Sequence, residues 1–131
     1  MKKVLFILCI YGVSFSQNNG DVYKYLDQLS EQNKYAMEVE KAEQWLKTHP
    51  DDVGVLWRLA RAHFDVADQT DDVSIHKEHF YPGFEVAKKA LELDPNSARA
   101  NHWYAVLIGK IGLIEGTEQK IINSYEVEKY A

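Results

Sequence analysis

The sequence predicts an all-α fold, with helical hairpins stacked as a short solenoid, and three observations indicate it. Apolar side chains recur at spacings of three and four along most of the chain, which is the pattern of amphipathic helices. Two predicted helices end at prolines 45 residues apart, Pro50 and Pro95, and each proline is followed by polar residues and a new helix. No segment shows the alternation of apolar and polar side chains that is typical of a half-buried strand.

The first segment, residues 1–16, has the layout of a secretory signal peptide. Two lysines precede an apolar run of ten residues, Val4 to Val13, which is shorter than the roughly 20 residues that cross a bilayer. We therefore expect cleavage after Ser16, no stable membrane span, and an exported protein, periplasmic or secreted. The expected mature chain, residues 17–131, keeps 20 acidic residues and loses two of the 15 basic ones, so its net charge is 13 minus 20, or −7. It contains no cysteine, so its stability depends on packing rather than on disulfides.

A first helical hairpin is predicted in residues 19–52. Its first helix has Asp21 as a candidate N-cap and an apolar stripe formed by Val22, Tyr25, Leu26 and Leu29. Its second helix has a stripe formed by Tyr35, Val39, Ala42 and Leu46. This helix is expected to stop at His49, because a proline disfavours helical geometry in the residue before it.

A second unit is predicted in residues 53–97. Its first helix follows two candidate caps, Asp51 and Asp52, and extends to Ala67. Residues 68–79 are polar and weakly patterned, and we interpret them as an inserted segment. Helix is expected to resume near Pro82, because proline suits the first turn of a helix, and to continue to the stop at Pro95.

A third unit is predicted in residues 98–131, with a break between its two helices at Gly112. Its last helix carries apolar side chains with no capping element after them: Ile121, Ile122, Tyr125 and Val127. An array of stacked hairpins generally needs a polar cap at its end. The sequence therefore predicts either self-association through the C-terminal hairpin or a natural chain that continues.

The spacing of 45 residues equals a 34-residue tetratricopeptide unit with 11 residues inserted between its helices. In that repeat, small side chains are expected at positions 8, 20 and 27, where the two helices approach each other. The second unit has Ala60, Gly83 and Ala90 at these positions, and the third has Ala105, Thr117 and Ser124. The first unit departs from the pattern with Leu26, Glu38 and Trp45.

Three longer strings carry a more specific resemblance: "VLWRLARAHFDVAD", "AKKALELDPNSARANHWYAV" and "IGLIEGTEQKIINSY". Together with the polar insertion, they resemble the tetratricopeptide-like family named for regulator of microtubule dynamics proteins, over roughly Val55 to Tyr125. The resemblance implies a short right-handed solenoid with an interaction role, no established catalytic residues and no cofactor. Because an export signal is predicted, cytoskeletal binding is not carried over. Family members usually continue past the end of this chain, which leaves open whether it is a fragment.

The motifs of common enzyme classes are missing from the sequence. There is no serine elbow, no phosphate-binding glycine loop and no cysteine in the expected mature chain, so we predict that the protein is not an enzyme. The acidic balance and the lack of a lysine-arginine cluster argue against nucleic acid as a partner. The leading hypothesis is a non-catalytic adaptor or scaffold that binds a protein or peptide.

The candidate binding site is the concave face that the first helices of stacked hairpins line. Groove positions of the repeat predict a candidate peptide-binding set: Trp57, Arg61, Phe64, Arg99, His102 and Lys110. Cations and aromatic rings suit an extended peptide with an acidic group or a free carboxylate. The alternative interpretation is that the two aromatic rings pack against the neighbouring repeat and the arginines pair with surface acids.

Two other functions remain as alternatives. One is a structural subunit that docks into an envelope assembly. The other is a metal-binding domain, because His76 and His79 lie three residues apart in the inserted segment, a spacing that suits zinc on one side of a helical turn. Nothing marks a third ligand, so no metal is expected. We further expect Tyr104 in the core and Trp103 at a helix flank.

Overall fold

A computed structural model describes the backbone of residues 18–130 and the side chains of residues 18–116. This part of the chain holds five helices and no strand: α1 (Asn19–Glu31), α2 (Tyr35–Leu46), α3 (Val53–Asp68), α4 (Val73–Leu93) and α5 (Ala98–Tyr130). The predicted all-α fold of helical hairpins is thereby confirmed. The predicted signal peptide, residues 1–16, lies outside the described residues. Within the described range, every helix is too short or too polar to cross a lipid bilayer.

Side-chain caps explain where three of the helices begin. Asn18, not Asp21, caps α1, since its side chain accepts a hydrogen bond from the Gly20 amide at 2.9 Å. Of the two candidate caps of α3, Asp52 is the one that caps the helix, and it accepts from the Val55 amide at 3.3 Å. The third cap was not predicted.

That third cap, Asp72, starts α4 ten residues before Pro82, so most of the predicted inserted segment is helix. Pro82 therefore lies inside α4 rather than in its first turn, and the prediction was wrong at this point. Proline removes the helical hydrogen bond to the carbonyl four residues earlier, that of Glu78, and both Pro82 and Glu78 are exposed. Phe80, only 1 % exposed, packs this segment into the core and outweighs its weak helical pattern.

Helix α3 is the centre of the fold, with α1 and α2 on one side and α4 and α5 on the other. The core toward the first hairpin consists of Val22, Leu26, Leu29, Ala42, Trp45, Val55 and Leu59. The core toward α4 and α5 consists of Ala60, Ala67, Phe80, Ala87 and Leu107, and a smaller cluster of Leu56, Ala90 and Ala100. Each side of the central helix therefore has its own apolar core.

The small side chains predicted for the second unit lie where α3 and α4 approach each other. Ala60 and Ala90 are 0 % exposed, and Gly83 is buried. A Cβ atom on Gly83 would lie 2.9 Å from the Cβ of His63, closer than two such atoms pack. A side chain at this position would force the two helices apart.

The third unit departs from prediction. The non-helical backbone within α5 is at Gly116, with φ 52° and ψ −139°, and not at Gly112, which continues the helix. A positive φ costs glycine little, which explains the position of the break. Ala105 is exposed rather than buried. The C-terminal side chains predicted to mediate self-association lie outside the described side chains, so that prediction stays untested.

Candidate functional site

The predicted groove lies between α3 and α5, which run side by side in the same direction. Near their first turns, the Arg99 guanidinium lies 5.5 Å from the centroid of the Trp57 ring. Three turns later, the Lys110 ammonium lies 5.2 Å from the centroid of the Phe64 ring. The structure therefore pairs four of the six predicted groove residues across the two helices, and a fifth, Arg61, lies beside Trp57.

One end of the groove is an open cavity of about 380 Å³, here called the arginine cavity. Its lining consists of Asp27, Ser30, Glu31, Trp57, Arg58, Arg61 and Arg99. The Trp57 ring is surrounded by three guanidinium groups, whose central carbons lie 4.1 Å (Arg58), 5.2 Å (Arg61) and 5.5 Å (Arg99) from its centroid. An indole face attracts cations, so the ring holds these arginines around one point.

Two of the three arginines are neutralised by carboxylates from the first hairpin. Arg58 donates through Nε and Nη2 to the two oxygens of Asp27, both at 3.0 Å. Arg61 donates through Nη2 to Asp27 at 2.9 Å and to Glu38 at 2.6 Å. Burial acts to raise the pKa of Asp27, but the hydrogen bonds and charges of both arginines outweigh it and lower that pKa. Arg61 therefore follows the alternative interpretation, in which an arginine of the set pairs with acids, although it also lines the cavity.

Arg99 differs from the other two arginines. Its side chain is exposed, and among the residues with described side chains it has no carboxylate within ion-pair distance. Its guanidinium donors are thus available for an incoming anion that need not displace a carboxylate of the described residues.

Glu38 is a member of the site that sequence reasoning missed. It is 0 % exposed; its Oε1 accepts from Arg61, and its Oε2 has no hydrogen-bond partner among the described residues. Burial raises the pKa of Glu38 to about 7, with Arg61 opposing this and the charges of Asp65 and Asp27 adding to it. The available signal was a charged residue at position 20 of the first unit, where the repeat expects a small one.

The opposite end of the groove is mainly apolar. Phe64 is half-buried and packs on the rings of Trp103, at 5.4 Å, and Phe80, at 6.0 Å. Lys110 donates to Asp68 at 2.9 Å. A cavity of about 170 Å³, here called the apolar cavity, is lined by Val73, His76, Phe80, Lys110, Leu113 and Ile114. Phe64 is thus a packing residue beside this cavity more than a free ligand contact.

The sixth predicted groove residue, His102, and the two aromatic residues after it have separate surroundings. His102 is exposed and meets the Trp103 ring edge-on at 4.9 Å. Trp103 and Tyr104 are both half-buried, so Tyr104 lies at the edge of the core rather than within it.

The two histidines of the weak metal hypothesis do not face each other. His76 Nε2 bonds the Thr70 carbonyl oxygen at 2.6 Å, and His79 Nδ1 lies 3.0 Å from His63 Nδ1. Burial, together with the charge of His79, lowers the pKa of His63 to about 4. Among the residues with described side chains, no three acids, histidines or cysteines form a group able to hold a metal ion. The geometry therefore gives the metal hypothesis no support.

Comparisons with known proteins agree on one family. The family model described as regulator of microtubule dynamics protein 1-3 matches residues 22–131. Regulator of microtubule dynamics protein 1 of Bos taurus is 38% identical over 112 residues, which cover 80% of this chain and 35% of that protein. Regulator of microtubule dynamics protein 3 of Bos taurus is 35% identical over 75 residues, 57% of this chain and 16% of that protein. No solved structure matches the chain.

These relatives overturn the predicted location. They are mammalian proteins named for an effect on microtubules, which are filaments inside the cell, and this conflicts with a periplasmic or secreted protein. The expectation of export was therefore wrong, and the envelope subunit that depended on it loses its basis. An N-terminal lysine pair and a short apolar run were insufficient grounds for it. The chain spans about a third of the length of the first relatives, 35% of the bovine protein 1.

Proposed function

The chain belongs to the family of regulator of microtubule dynamics proteins, and we propose that its helical domain is a non-catalytic adaptor that binds an acidic segment of a partner protein. The family and the packed hairpins support a protein-interaction role in general terms. The observation that supports an acidic ligand concerns Arg99. This residue lines the arginine cavity and forms no ion pair with a carboxylate among the described side chains.

The chemistry of the cavity favours a carboxylate over a neutral group. Arg99 can donate two parallel N–H bonds to one carboxylate, and such charge-assisted pairs are stronger than neutral hydrogen bonds. The Trp57 ring beside it supplies an apolar wall for the methylene groups of the ligand. Arg58 and Arg61 add positive potential, but Asp27 and Glu38 already form ion pairs with them.

The length of the groove adds a second requirement. Arg99 and Lys110 are 11 positions apart on one helix, so the arginine cavity and the apolar cavity are separated by about 16 Å at 1.5 Å per residue. An extended peptide covers about 3.3 Å per residue and spans that distance in about five residues. The proposed ligand therefore carries an acidic residue and, about five positions away, a large apolar residue.

The relatives' names suggest where this partner acts. They are named regulators of microtubule dynamics, and we propose that the chain contributes a protein contact to that activity. The domain spans about a third of the bovine protein 1, and the proposal for this chain is confined to the contact itself.

Binding of a labelled acidic peptide tests the proposal. The probe is a fluorescein-labelled peptide with two adjacent aspartates and a leucine about five positions away. Fluorescence anisotropy should show saturable binding, weakened about tenfold or more by Arg99→Gln because one charge-assisted pair is lost. The matched control is Lys88→Gln, which removes an exposed cation of α4 that lies outside the cavity lining, and it should bind as the wild type does.

Two results would contradict this function: no binding by the wild type, or equal weakening by both variants, which would indicate a general charge effect. Replacing the probe's leucine with serine tests the apolar cavity separately. Arg61 is unsuitable as a test position because it holds buried Glu38, and its loss would disturb the fold. Co-pelleting with microtubules, compared between the wild type and Arg99→Gln, then tests whether this contact is connected with microtubules.

A further inference from the structure

Glu38 occupies a place in the fold where a charge is unexpected. It lies at the position of the first unit that corresponds to Gly83 in the second, at the approach of two helices. From α2 it contacts Arg61 of α3, and Arg61 also bonds Asp27 of α1. One guanidinium thus joins three helices, and the same guanidinium lines the arginine cavity.

The two carboxylate oxygens of Glu38 differ in their hydrogen bonding. Glu38 makes one hydrogen bond, to Arg61, while its second oxygen is buried without a partner among the described residues. A buried carboxylate that lacks partners is costly when it is ionised. A proton on that second oxygen removes the charge at the place where solvation is poorest.

We propose that Glu38 is a positioning residue that controls how strongly the arginine cavity holds an anionic ligand, and that ligand binding is accompanied by proton uptake at Glu38. This inference rests on the proposed function. An ionised Glu38 and a ligand carboxylate compete for the same positive field of Arg61. Protonation of Glu38 removes one competitor, and a bound anion in turn favours the protonated form.

Three charged groups face Glu38: Asp27 of α1 and Arg61 and Asp65 of α3. Arg61 favours the ionised form of Glu38 through its hydrogen bond and charge. Both acids disfavour a negative charge on Glu38, as a ligand carboxylate would. Burial places the pKa of Glu38 at about 7, so its protonation changes within the physiological range. Burial also raises the pKa of Asp65, to about 6, which is below the value for Glu38.

The expected result is tighter binding of the acidic peptide at lower pH. One unit charge several ångströms from the ligand, in a partly solvated site, changes affinity by about threefold to tenfold. The same labelled peptide is titrated by anisotropy at about pH 6 and about pH 8, at fixed salt, where its aspartates are ionised throughout. Binding should be about threefold to tenfold tighter at the lower pH.

Two variants identify the group responsible. Glu38→Gln keeps the shape and an acceptor for Arg61, and it should bind with the same affinity at both pH values. Asp65→Asn removes the other acid of α3 near Glu38, whose pKa of about 6 also lies in this range, and it should still bind more tightly at the lower pH. Circular dichroism establishes that each variant retains its helices.

A direct measurement of the Glu38 pKa tests the inference without any variant. Carbon NMR of the Glu38 carboxyl in the wild-type chain should show its pKa rising when the peptide binds. Wild-type binding that does not change with pH, or a pH slope that persists in Glu38→Gln, would overturn the inference while leaving the proposed function intact. Absence of peptide binding at both pH values would overturn both.

Discussion

Helix α3 packs against its neighbouring helices in two different ways, one on each of its two faces. Toward α1 and α2, ion pairs are added to the apolar core, and this side is here called the polar face: Arg58 and Arg61 reach across to Asp27 and Glu38. Toward α4 the contact is close and apolar, because Gly83 and Ala90 let the backbones approach. The same position of the repeat holds a buried glutamate in one unit and a glycine in the other. Two neighbouring helices can therefore be held together either by an ion pair or by a close approach at a glycine.

Asp52 strengthens the polar face at its N-terminal end. Its carboxylate caps α3, accepts from the Trp45 indole N–H at 2.9 Å, and accepts from the Tyr23 hydroxyl. The Tyr23 ring lies on Gly54, where a Cβ atom would overlap it. One carboxylate thus links all three helices of this face, and the first hairpin depends on directed bonds more than on small side chains.

The largest effect is expected from removing the cation of the polar face. Arg61→Leu leaves ionised Glu38 buried with no cation, which should lower the free energy of unfolding by about 3–5 kcal/mol at a pH well above 7. The double variant Arg61→Leu/Glu38→Leu removes both charges and should recover most of that loss, because an apolar pair can replace a buried ion pair. Urea unfolding measures both. A double variant as unstable as the single one would show that shape, not charge, holds this face.

An intermediate effect is expected on the close face. Gly83→Ala places a Cβ 2.9 Å from that of His63 and should cost about 1–3 kcal/mol of unfolding free energy by overpacking. Gly109→Ala is the matched control within a helix, where the new methyl meets nothing within 4 Å, and it should stabilise by up to about 1 kcal/mol. Thermal unfolding of the two variants compares them. Equal changes would mean that helix propensity alone decides and that the close approach is unimportant.

The smallest expected effect is a change in the free energy of unfolding with pH, which has opposite signs for Glu38 and His63. Glu38 has a pKa of about 7 when folded and 4.5 as its ordinary value, so the folded state keeps a proton that the unfolded state has lost. The stability that Glu38 contributes to the folded state is therefore present below about pH 4.5 and is lost as pH rises through about 7. His63 has a pKa of about 4 when folded and 6.5 ordinarily, so its contribution is present above pH 6.5 and is lost as pH falls toward 4.

These two dependences oppose each other in the wild type, and single variants should separate them. Glu38→Gln should become more stable as pH rises from about 4 to 6.5, and His63→Gln should become less stable as pH rises from about 4.5 to 7, each by about 1–2 kcal/mol. Urea midpoints across that range provide the measurement. Parallel curves for the two variants would refute the assignment of opposite signs.

Several elements of the fold and site were predictable from residues close together in the chain. The stripe of Val22, Leu26 and Leu29, the cap Asp52 and the small residues of the second unit depend on local spacing, and the structure places them as expected. The groove set was also predictable in part, because helical spacing alone puts Trp57 and Arg61 on one side of α3 and Arg99 and Lys110 on one side of α5.

Other features failed or were missed because they depend on distant residues. The start of α4 depends on Phe80, which is buried against α3 and α5 and gives helical order to a weakly patterned segment. The break at Gly116 rather than Gly112 reflects a choice between two glycines that the local sequence does not distinguish. The role of Arg61 follows from two acids that lie 34 and 23 positions away, and spacing within one helix cannot reveal them.

The linear pattern was enough to establish an all-α chain of helical hairpins and its family, because helix periodicity, caps and proline stops act over a few residues. The packing of the helices established which arginines of the cavity are ion-paired within the described part of the chain, because an ion pair depends on distances between segments. It also established the environment of Glu38, since solvent exclusion belongs to the assembled helices and not to the residue itself.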